Sequence, residues 1–331
     1  MFTTLFVQVA SYRDVELIPT IKDAIEQAHF PELLSFGICW QYQTESELRY
    51  IDALKSIKNC RVISVLASCS KGVGWARSEV QRMFEREKYT LQIDSHMRFV
   101  KDWDILLINM LNLCPSKKPV LTAYPASYTP PRILNNNFVT GITFDKFHES
   151  GIITFKGSGE DLSKFHLPQL GSFIAGGFMF SEASIINEVP ADPNIYFLGE
   201  EFLFSVRAWT RGWDIYHPNK LLCWHYYNEK CTSRPLHWQD NEWIPLNYSS
   251  AERFRKILGL EVNSEDFGIY GLGDNRTLSA YLQMCNISLD DWANQYENYR
   301  GQATTRNEGR LSNHQDPGIR NSSHLTTNPT I

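Results

Sequence analysis

The chain has 331 residues, of which 43% are hydrophobic and 13% aromatic, and a formal net charge of -5 at pH 7. That composition is typical of a folded globular protein and excludes a disordered one, while the length allows one large α/β core or two smaller ones. Because no basic excess is available to neutralise phosphates, we do not expect nucleic acid to be the main partner.

The cysteines and the N-terminal residues indicate the cellular compartment in which we expect the protein. The seven cysteines are odd in number, scattered and without a Cys-x-x-Cys pair. This favours free thiols in a reducing compartment over a disulfide framework or a zinc knot. The N-terminus lacks the basic region of a signal peptide, and no apolar run reaches membrane-spanning length. We expect a cytoplasmic protein that is not integral to a membrane, and peripheral association stays open.

The first predicted strand, Leu5–Ala10, leads into a loop of polar and aromatic residues, Ser11, Tyr12, Arg13 and Asp14. In nucleotide-binding sheets the first loop after a strand commonly holds the base and ribose, so these four side chains are candidates for nucleotide binding. A polar helix cap with a helix-facing arginine would explain them equally well. Helices predicted over 19–27 and 45–57 alternate with strands over 36–41 and 61–66, which predicts a largely parallel, doubly wound sheet.

A glycine-containing loop follows the third strand and leads into a helix that begins near Ala76 and Arg77. Gly72 permits a tight loop that approaches a ligand closely, and backbone N–H groups together with the Arg77 guanidinium could face a diphosphate. The loop lacks the third glycine of a dinucleotide fingerprint. A plain turn is the alternative.

The fourth predicted strand ends in Asp94-Ser95-His96. In open α/β sheets ligands bind beyond the carboxyl ends of the strands, so this tripeptide is directed at the ligand crevice. A carboxylate and an imidazole that bind one divalent ion would leave coordination positions for phosphate oxygens. A solvated carboxylate beside a packed histidine is the alternative.

Three later segments supply further candidates. The predicted strand over 173–181 contains Gly176 and Gly177, where either the strand kinks or a ligand approaches its backbone. Glu200 and Glu201 open a predicted helix, as suits the helix dipole, yet paired glutamates are also a source of a catalytic carboxylate. His225 stands among aromatic residues at a strand end, where it is either a core histidine or a further metal ligand.

The C-terminal part changes character after residue 248. Short helices are predicted near 251–258 and after Thr277, and Arg276 could reach a diphosphate or be an ordinary surface arginine. From about residue 301 the chain is rich in Asn, Ser, Thr, Arg and Gly with almost no large apolar residue, so we expect a disordered tail over 301–331.

Taken together, the motifs resemble those of a known family. Segments 6–14, 71–77, 91–99 (Leu-Gln-Ile-Asp-Ser-His-Met-Arg-Phe), 199–201 and 270–277 occur in an order similar to that in the glycosyltransferases typified by the cytoplasmic hydroxyproline N-acetylglucosaminyltransferase of a ubiquitin-ligase adaptor. The resemblance covers roughly residues 3–285. It implies a GT-A fold, which is a Rossmann-like, mostly parallel nucleotide-binding α/β sheet flanked by helices. With the change of character after residue 248, we expect a catalytic domain over 1–248 and a small helical appendage over 249–300.

The resemblance also implies a chemistry. The enzyme would use a UDP-sugar donor, which is UDP-GlcNAc in the type enzyme, and a divalent metal such as Mn²⁺ or Mg²⁺. It would transfer the sugar to an acceptor hydroxyl on a protein or glycan, with retention at the anomeric carbon. Asp94, Ser95 and His96 match the metal motif, and His225 lies where related enzymes supply another metal-bound histidine. Glu201, or else Glu200, lies where they place an acid near the acceptor. Hydroxyproline as the acceptor does not follow.

Two other functions compete with this hypothesis. A nucleotidyltransferase would use a similar sheet and metal but transfer a nucleotidyl group. A non-catalytic module that binds a sugar nucleotide or carbohydrate would require a broken metal motif, and here the motif is intact.

Overall fold

The computed structural model describes residues 4–148, 150–227 and 234–297. Its strands are β1 Leu5–Tyr12, β2 Leu34–Tyr42, β3 Cys60–Leu66, β4 Tyr89–Asp94, β5 Met97–Phe99, β6 Pro119–Thr122, β7 Ala126–Thr129, β8 Ile133–Leu134, β9 Ile142–Phe147, β10 Ile153–Gly157, β11 Gln169–Leu170, β12 Phe178–Glu182, β13 Asp214–His217 and β14 Cys223–His225. Its α-helices are α1 Leu17–Gln27, α2 Glu45–Lys55, α3 Val73–Gln81, α4 Trp103–Leu113, α5 Ile185–Glu188, α6 Glu200–Thr210, α7 His237–Asp240, α8 Ile244–Ile257 and α9 Leu278–Met284.

The central sheet has eight strands in the order β11-β13-β6-β12-β4-β1-β2-β3. Strand β1 pairs in parallel with β2 and β4, and β2 pairs in parallel with β3. Strand β12 lies between β4 and β6 and runs antiparallel to both. The predicted mixed α/β fold with a mostly parallel sheet is confirmed. The carboxyl ends of β1 and β4 meet at one edge, since Ala10 pairs with Asp94.

Alternating side chains of β1 explain the layers on the two faces of this sheet. Leu5, Val7 and Val9 are buried in a core that also contains α1, α2 and α4 residues. Phe6 points the other way, into a core formed with α3, α5 and α6. Because successive strand residues face opposite sides, an apolar run such as that of β1 can be buried on both faces.

A four-stranded sheet, in the order β5-β14-β7-β8, adjoins the carboxyl edge of the central sheet. Strand β5 follows β4 after only two residues, and β14 pairs with it so that His225 lies opposite Met97. The alternating residues 138–155 predict a β-excursion from the main sheet, and the structure has a separate hairpin of β9 and β10 there.

A third core joins this hairpin to the C-terminal helices. It contains Phe155, Phe202, Phe254, Tyr281 and Trp292, from β10, α6, α8, α9 and the segment after α9. The short helical C-terminal region is therefore confirmed. The domain boundary at 248 stays a prediction, and the predicted disordered tail lies outside the described residues.

Some element bounds differ from the predictions, each for a local reason. Helix α1 begins at Leu17, so that Pro19 is inside its first turn, where its missing N–H has no intrahelical acceptor. Strand β12 begins at Phe178, after the glycine pair, because Ala175 and Phe178 bridge each other in a turn. Helix α8 begins at Ile244, earlier than predicted, with a proline near its start.

Candidate active site

Three possible metal ligands converge where β4 ends. Asp94, His96 and His225 each offer one ligand atom, and these atoms lie within 4.8 Å of one another. The His225 Nε2 atom is 3.1 Å from the Asp94 Oδ2 atom, and the His96 Nε2 atom is 3.9 Å from the same oxygen. The pairing of β5 with β14 brings His225, distant in sequence, beside the Asp-x-His motif. The structure thus joins all three predicted ligands in one cluster.

This cluster is electrostatically suited to a cation. Although burial opposes ionisation, the hydrogen bond from His225 and the electrostatic influence of His96 and Arg77 hold the pKa of Asp94 well below its usual range. Burial and the neighbouring His96 lower the pKa of His225 to about 4, so its imidazole is neutral at pH 7. An ionised carboxylate and a neutral imidazole are the forms in which these side chains bind metals.

Asp14 belongs to this cluster and not to an open nucleotide loop. It is 2% exposed, and its Oδ2 atom is 2.6 Å from His96 Nδ1 and accepts a hydrogen bond of 2.7 Å from the Ser95 hydroxyl. The sequence predicts that Asp14 and Ser95 contact a nucleotide. The structure instead uses them within the protein, because the parallel pairing of β1 with β4 places the loop after β1 beside the loop after β4.

Arg77 and Glu200 form a buried ion pair next to Asp94. Arg77 Nη1 lies 2.6 Å from Glu200 Oε2, and Arg77 Nη2 donates to the Gly176 carbonyl at 2.8 Å and lies 3.6 Å from Asp94 Oδ1. The sequence predicts that Arg77 faces a diphosphate. In the structure the guanidinium already has three protein partners, so it fixes Asp94 and the start of α6.

Glu201 has a different environment from Glu200. Its Oε1 atom accepts the Gly176 N–H at 2.7 Å, and the Tyr124 hydroxyl lies 3.5 Å from its Oε2 atom. Burial raises the pKa of Glu201 to about 7, and the charge of Glu200 acts in the same direction. A carboxyl group with such a pKa exchanges a proton near neutrality, as a general base requires. Sequence reasoning missed Tyr124, which carries no motif.

The glycine pair lies against these acidic groups. An added Cβ at Gly177 would be 2.7 Å from Asp94 Oδ2, and one at Gly176 would be 2.6 Å from Arg77 Nη1. The sequence predicts that a ligand approaches the backbone of the glycine pair, and in the structure protein side chains of the cluster make this close approach. The space above the backbone is filled by Asp94, Arg77 and Glu200.

The first loop contacts a segment that the sequence did not indicate. The Tyr12 hydroxyl donates to Asp240 Oδ2 at 3.0 Å, and Arg13 Nη1 lies 2.6 Å from the same oxygen. Asn241 donates to the Tyr12 hydroxyl at 2.8 Å. Helix α7 thus covers the carboxyl end of β1. The predicted nucleotide contacts of Tyr12 and Arg13 stay predictions.

Ser11 and Gly72 line the same region. Ser11 is fully buried, and its hydroxyl has no hydrogen-bond partner within the described part of the chain. Gly72 has a φ of 102°, and a Cβ there would be 2.3 Å from the Tyr196 carbonyl oxygen. Glycine is therefore required at position 72 for its backbone conformation and for contact with Tyr196.

Arg276 lies away from the cluster. It forms an ion pair of 2.9 Å with Asp214 and packs over the Trp209 ring at 4.9 Å. Asp214 opens β13, at the opposite ends of the strands from Asp94. We therefore leave Arg276 out of the proposed site.

Comparison with known proteins identifies the enzyme class. The model of the family described as Glycosyltransferase (GlcNAc) matches residues 4–55 and 45–291. The chain belongs to this family. It is therefore a glycosyltransferase, as the resemblance implied. Among curated proteins, no match to the sequence was found.

Solved structures establish the fold of this glycosyltransferase. A structure of GalNAc-T7 with UDP, GalNAc and Mn²⁺ superposes with a TM-score of 0.56 at 16% identity, over 92% of this chain and 58% of that one. Staphylococcus aureus TarS 1-349 in complex with UDP-GlcNAc gives a TM-score of 0.54 at 12% identity, over 93% and 77% of the two chains. The chain thus spans little more than half of the GalNAc-T7 chain. The expected GT-A fold is confirmed.

Two features bear on the predicted compartment. No helix in the described ranges is both long and apolar enough to span a membrane. The cysteines that the structure describes are free. The cytoplasmic location stays a prediction.

Proposed function

We propose that this glycosyltransferase transfers GlcNAc from UDP-GlcNAc to an acceptor hydroxyl on a protein or glycan, using a divalent cation. The observation that carries the proposal is the convergence of Asp94, His96 and His225 within 4.8 Å at the carboxyl edge of a GT-A sheet. The family description, which names GlcNAc, and the UDP-GlcNAc complex of TarS support the choice of donor. We also propose that the chain is related more closely to the hydroxyproline N-acetylglucosaminyltransferases. We do not propose that hydroxyproline is its acceptor.

The donor set fits a metal. Two imidazoles and one carboxylate suit a transition metal such as Mn²⁺ better than Mg²⁺, which prefers oxygen ligands and retained water. Because His225 is neutral and Asp94 is ionised, the pair needs no net proton loss to bind it, but the hydrogen that His225 Nε2 shares with Asp94 would move to Nδ1. When bound, such a cation would neutralise charge on the diphosphate of the donor and stabilise the departing UDP.

The chain's own residues supply the remaining roles. We assign acceptor activation to Glu201, whose pKa of about 7 suits proton removal from a hydroxyl. We assign to Glu200 the task of holding Arg77, which in turn holds Asp94. The buried environment strengthens these electrostatic contacts relative to water.

UDP release tests the function without knowledge of the acceptor. The purified chain is incubated with UDP-GlcNAc, UDP-GalNAc, UDP-glucose and UDP-galactose, with Mn²⁺ or with EDTA, and free UDP from slow donor hydrolysis is measured. We expect release with Mn²⁺, fastest from UDP-GlcNAc, and none with EDTA. A nucleotidylated product without free UDP would favour a nucleotidyltransferase instead.

Retention at the anomeric carbon is the proposed stereochemistry. It follows from the resemblance to retaining enzymes, and the anomeric proton coupling of the glycosylated product decides it by NMR. An α-linked product from the α-linked donor is expected. A β-linked product would mean inversion, in which the acceptor oxygen deprotonated by Glu201 displaces UDP directly from the opposite face of the sugar.

A further inference from the structure

The Asp14 carboxylate is placed entirely within the protein. Its Oδ2 atom contacts His96 Nδ1 at 2.6 Å and the Ser95 hydroxyl at 2.7 Å, while its Oδ1 atom accepts the Glu16 N–H at 2.9 Å. Arg234 Nη1 lies 3.9 Å from Oδ2. With 2% of its surface exposed, Asp14 has no free face to offer a nucleotide.

This contact determines which nitrogen of His96 carries the proton. A neutral imidazole bears hydrogen on one nitrogen, and a carboxylate beside Nδ1 requires the hydrogen there. The other nitrogen, Nε2, then presents a lone pair, and it is Nε2 that faces Asp94 at 3.9 Å. The imidazole is therefore oriented and protonated as a metal ligand before any metal binds.

The second histidine of the cluster lacks such support. His225 Nδ1 is buried and has no hydrogen-bond partner in the described ranges. Its ring packs 4.6 Å from the His96 ring and 4.3 Å from the Tyr227 ring between centroids, and its Nε2 atom lies 3.1 Å from Asp94 Oδ2. The carboxylate beside His96 therefore lies behind the ring, at Nδ1, whereas the carboxylate beside His225 is itself a proposed metal ligand.

We propose that Asp14 is a positioning residue of the metal site, which holds His96 in its Nδ1–H form so that Nε2 binds the cation. This inference rests on the metal site of the proposed function and adds a residue to it. A carboxylate behind a metal-bound histidine fixes the ring and strengthens its basicity, and the loss of such a partner typically lowers metal affinity 10–100-fold.

The experiment measures Mn²⁺ affinity directly, by the EPR signal of free Mn²⁺ during titration of the chain. We expect Asp14→Asn to weaken Mn²⁺ binding by about 10–100-fold. Asp23→Asn is the matched control, because Asp23 is also a buried carboxylate, 7% exposed, and accepts the Phe99 N–H at 2.6 Å without touching a proposed ligand. Asp23→Asn should retain wild-type affinity. Equal affinities of Asp14→Asn and wild type would overturn the inference.

A second measurement uses the unmodified chain and so does not depend on the folding of a variant. The ¹⁵N shifts of the His96 ring in the metal-free protein report its tautomer, and we expect hydrogen on Nδ1. Hydrogen on Nε2 would overturn the inference. Failure of the proposed function has a different signature: wild type would bind no Mn²⁺ at all, whereas failure of the Asp14 assignment leaves wild-type binding intact.

Discussion

Asp94 is the residue on which the proposed chemistry depends most. It contributes little packing, since its side chain is 33% exposed, but it contacts His225, His96 and Arg77. Asp94→Ala should therefore lower metal-dependent UDP release by about 100-fold or more while leaving the fold intact. The measurement is UDP release at saturating donor, with circular dichroism to check the fold.

Asp214→Ala provides the matched control for that experiment. Asp214 is similarly exposed, at 28%, and is also paired with an arginine, Arg276, but it lies at the other ends of the strands. Its removal should leave UDP release within about twofold of wild type. Near-normal release by Asp94→Ala would contradict the metal assignment.

Glu201 should govern the pH dependence of transfer. A base acts in its ionised form, so with a pKa of about 7 the rate should rise as the pH increases through 7. Glu201→Gln should lower kcat by about 10²–10⁴ and remove this rise. The measurement is kcat against pH, once an acceptor is available.

Glu200→Gln separates the two neighbouring acids. Because Glu200 contacts Arg77, whereas Glu201 contacts Tyr124 and accepts the Gly176 N–H, loss of the Glu200 charge should lower activity and move the rise to lower pH without removing it. If Glu200→Gln removed the rise and Glu201→Gln kept it, the two roles would have to be exchanged.

Sequence alone could locate the proposed metal ligands but not the residues that support them. Asp94 and His96 are recognisable because a strand pattern ends at them, and His225 because aromatic residues surround it at another strand end. Asp14 contacts His96 from 82 positions away, and Tyr124 approaches Glu201 from 77 positions away. Those distances depend on strand register and packing, which no local pattern contains.

At the level of elements, the turn before β12 sets the space beside Asp94. Gly177→Ala would place a Cβ 2.7 Å from Asp94 Oδ2, so either the carboxylate or the turn must shift. We expect Mn²⁺ affinity to fall by about tenfold or more, since displaced ligands bind metals poorly. Titration of Mn²⁺ by EPR measures this.

Gly157→Ala is the control for that substitution. A Cβ at Gly157 would meet only Thr140, at the ordinary contact distance of 3.4 Å. Its Mn²⁺ affinity should equal that of wild type. Unchanged affinity in Gly177→Ala would show that Asp94 can move without loss and would weaken the geometric argument for the site.

Elements with strong patterns were predictable, and those set by contacts were not. Apolar periodicity predicts a helix over 103–113, where α4 spans Trp103–Leu113, and a strand that ends at Asp94, where β4 ends. The sequence predicts that the glycine pair before β12 lies inside the strand, whereas the structure places it in a turn that contacts Arg77 and Asp94, which are distant in sequence. The short helix α7 was missed because its partners, Tyr12 and Arg13, are distant in sequence.

At the level of the whole molecule, Trp292 tests how the C-terminal helices are joined to the sheet domain. It is fully buried, its indole N–H donates to the Gly151 carbonyl at 2.5 Å, and its ring packs 5.5 Å from that of Phe202 on α6. Trp292→Ala should lower the free energy of unfolding by about 3–5 kcal/mol. Urea denaturation followed by fluorescence and circular dichroism measures this.

The shape of that transition tests the predicted boundary at 248. Because Phe202 and Phe254 share one core, we expect a single transition that shifts as a whole. A separate early transition, with the main one unmoved, would mean that the C-terminal region folds as an independent appendage.

The architecture itself was largely predictable, because strands that alternate with helices leave few topologies other than a parallel sheet. The antiparallel direction of β12 and the position of Arg276 were not predictable. Both depend on the path of the chain after the regularly alternating strands and helices. Arg276 follows a glycine-rich loop that resembles the family motif, yet its ion pair is with Asp214.

The most direct test of metal-dependent transfer is UDP release from UDP-GlcNAc by the wild-type chain and Asp94→Ala, each with Mn²⁺ and with EDTA. We expect release only from the wild-type chain with Mn²⁺. Equal release in EDTA, or from Asp94→Ala, would contradict a metal-dependent transfer centred on Asp94, His96 and His225.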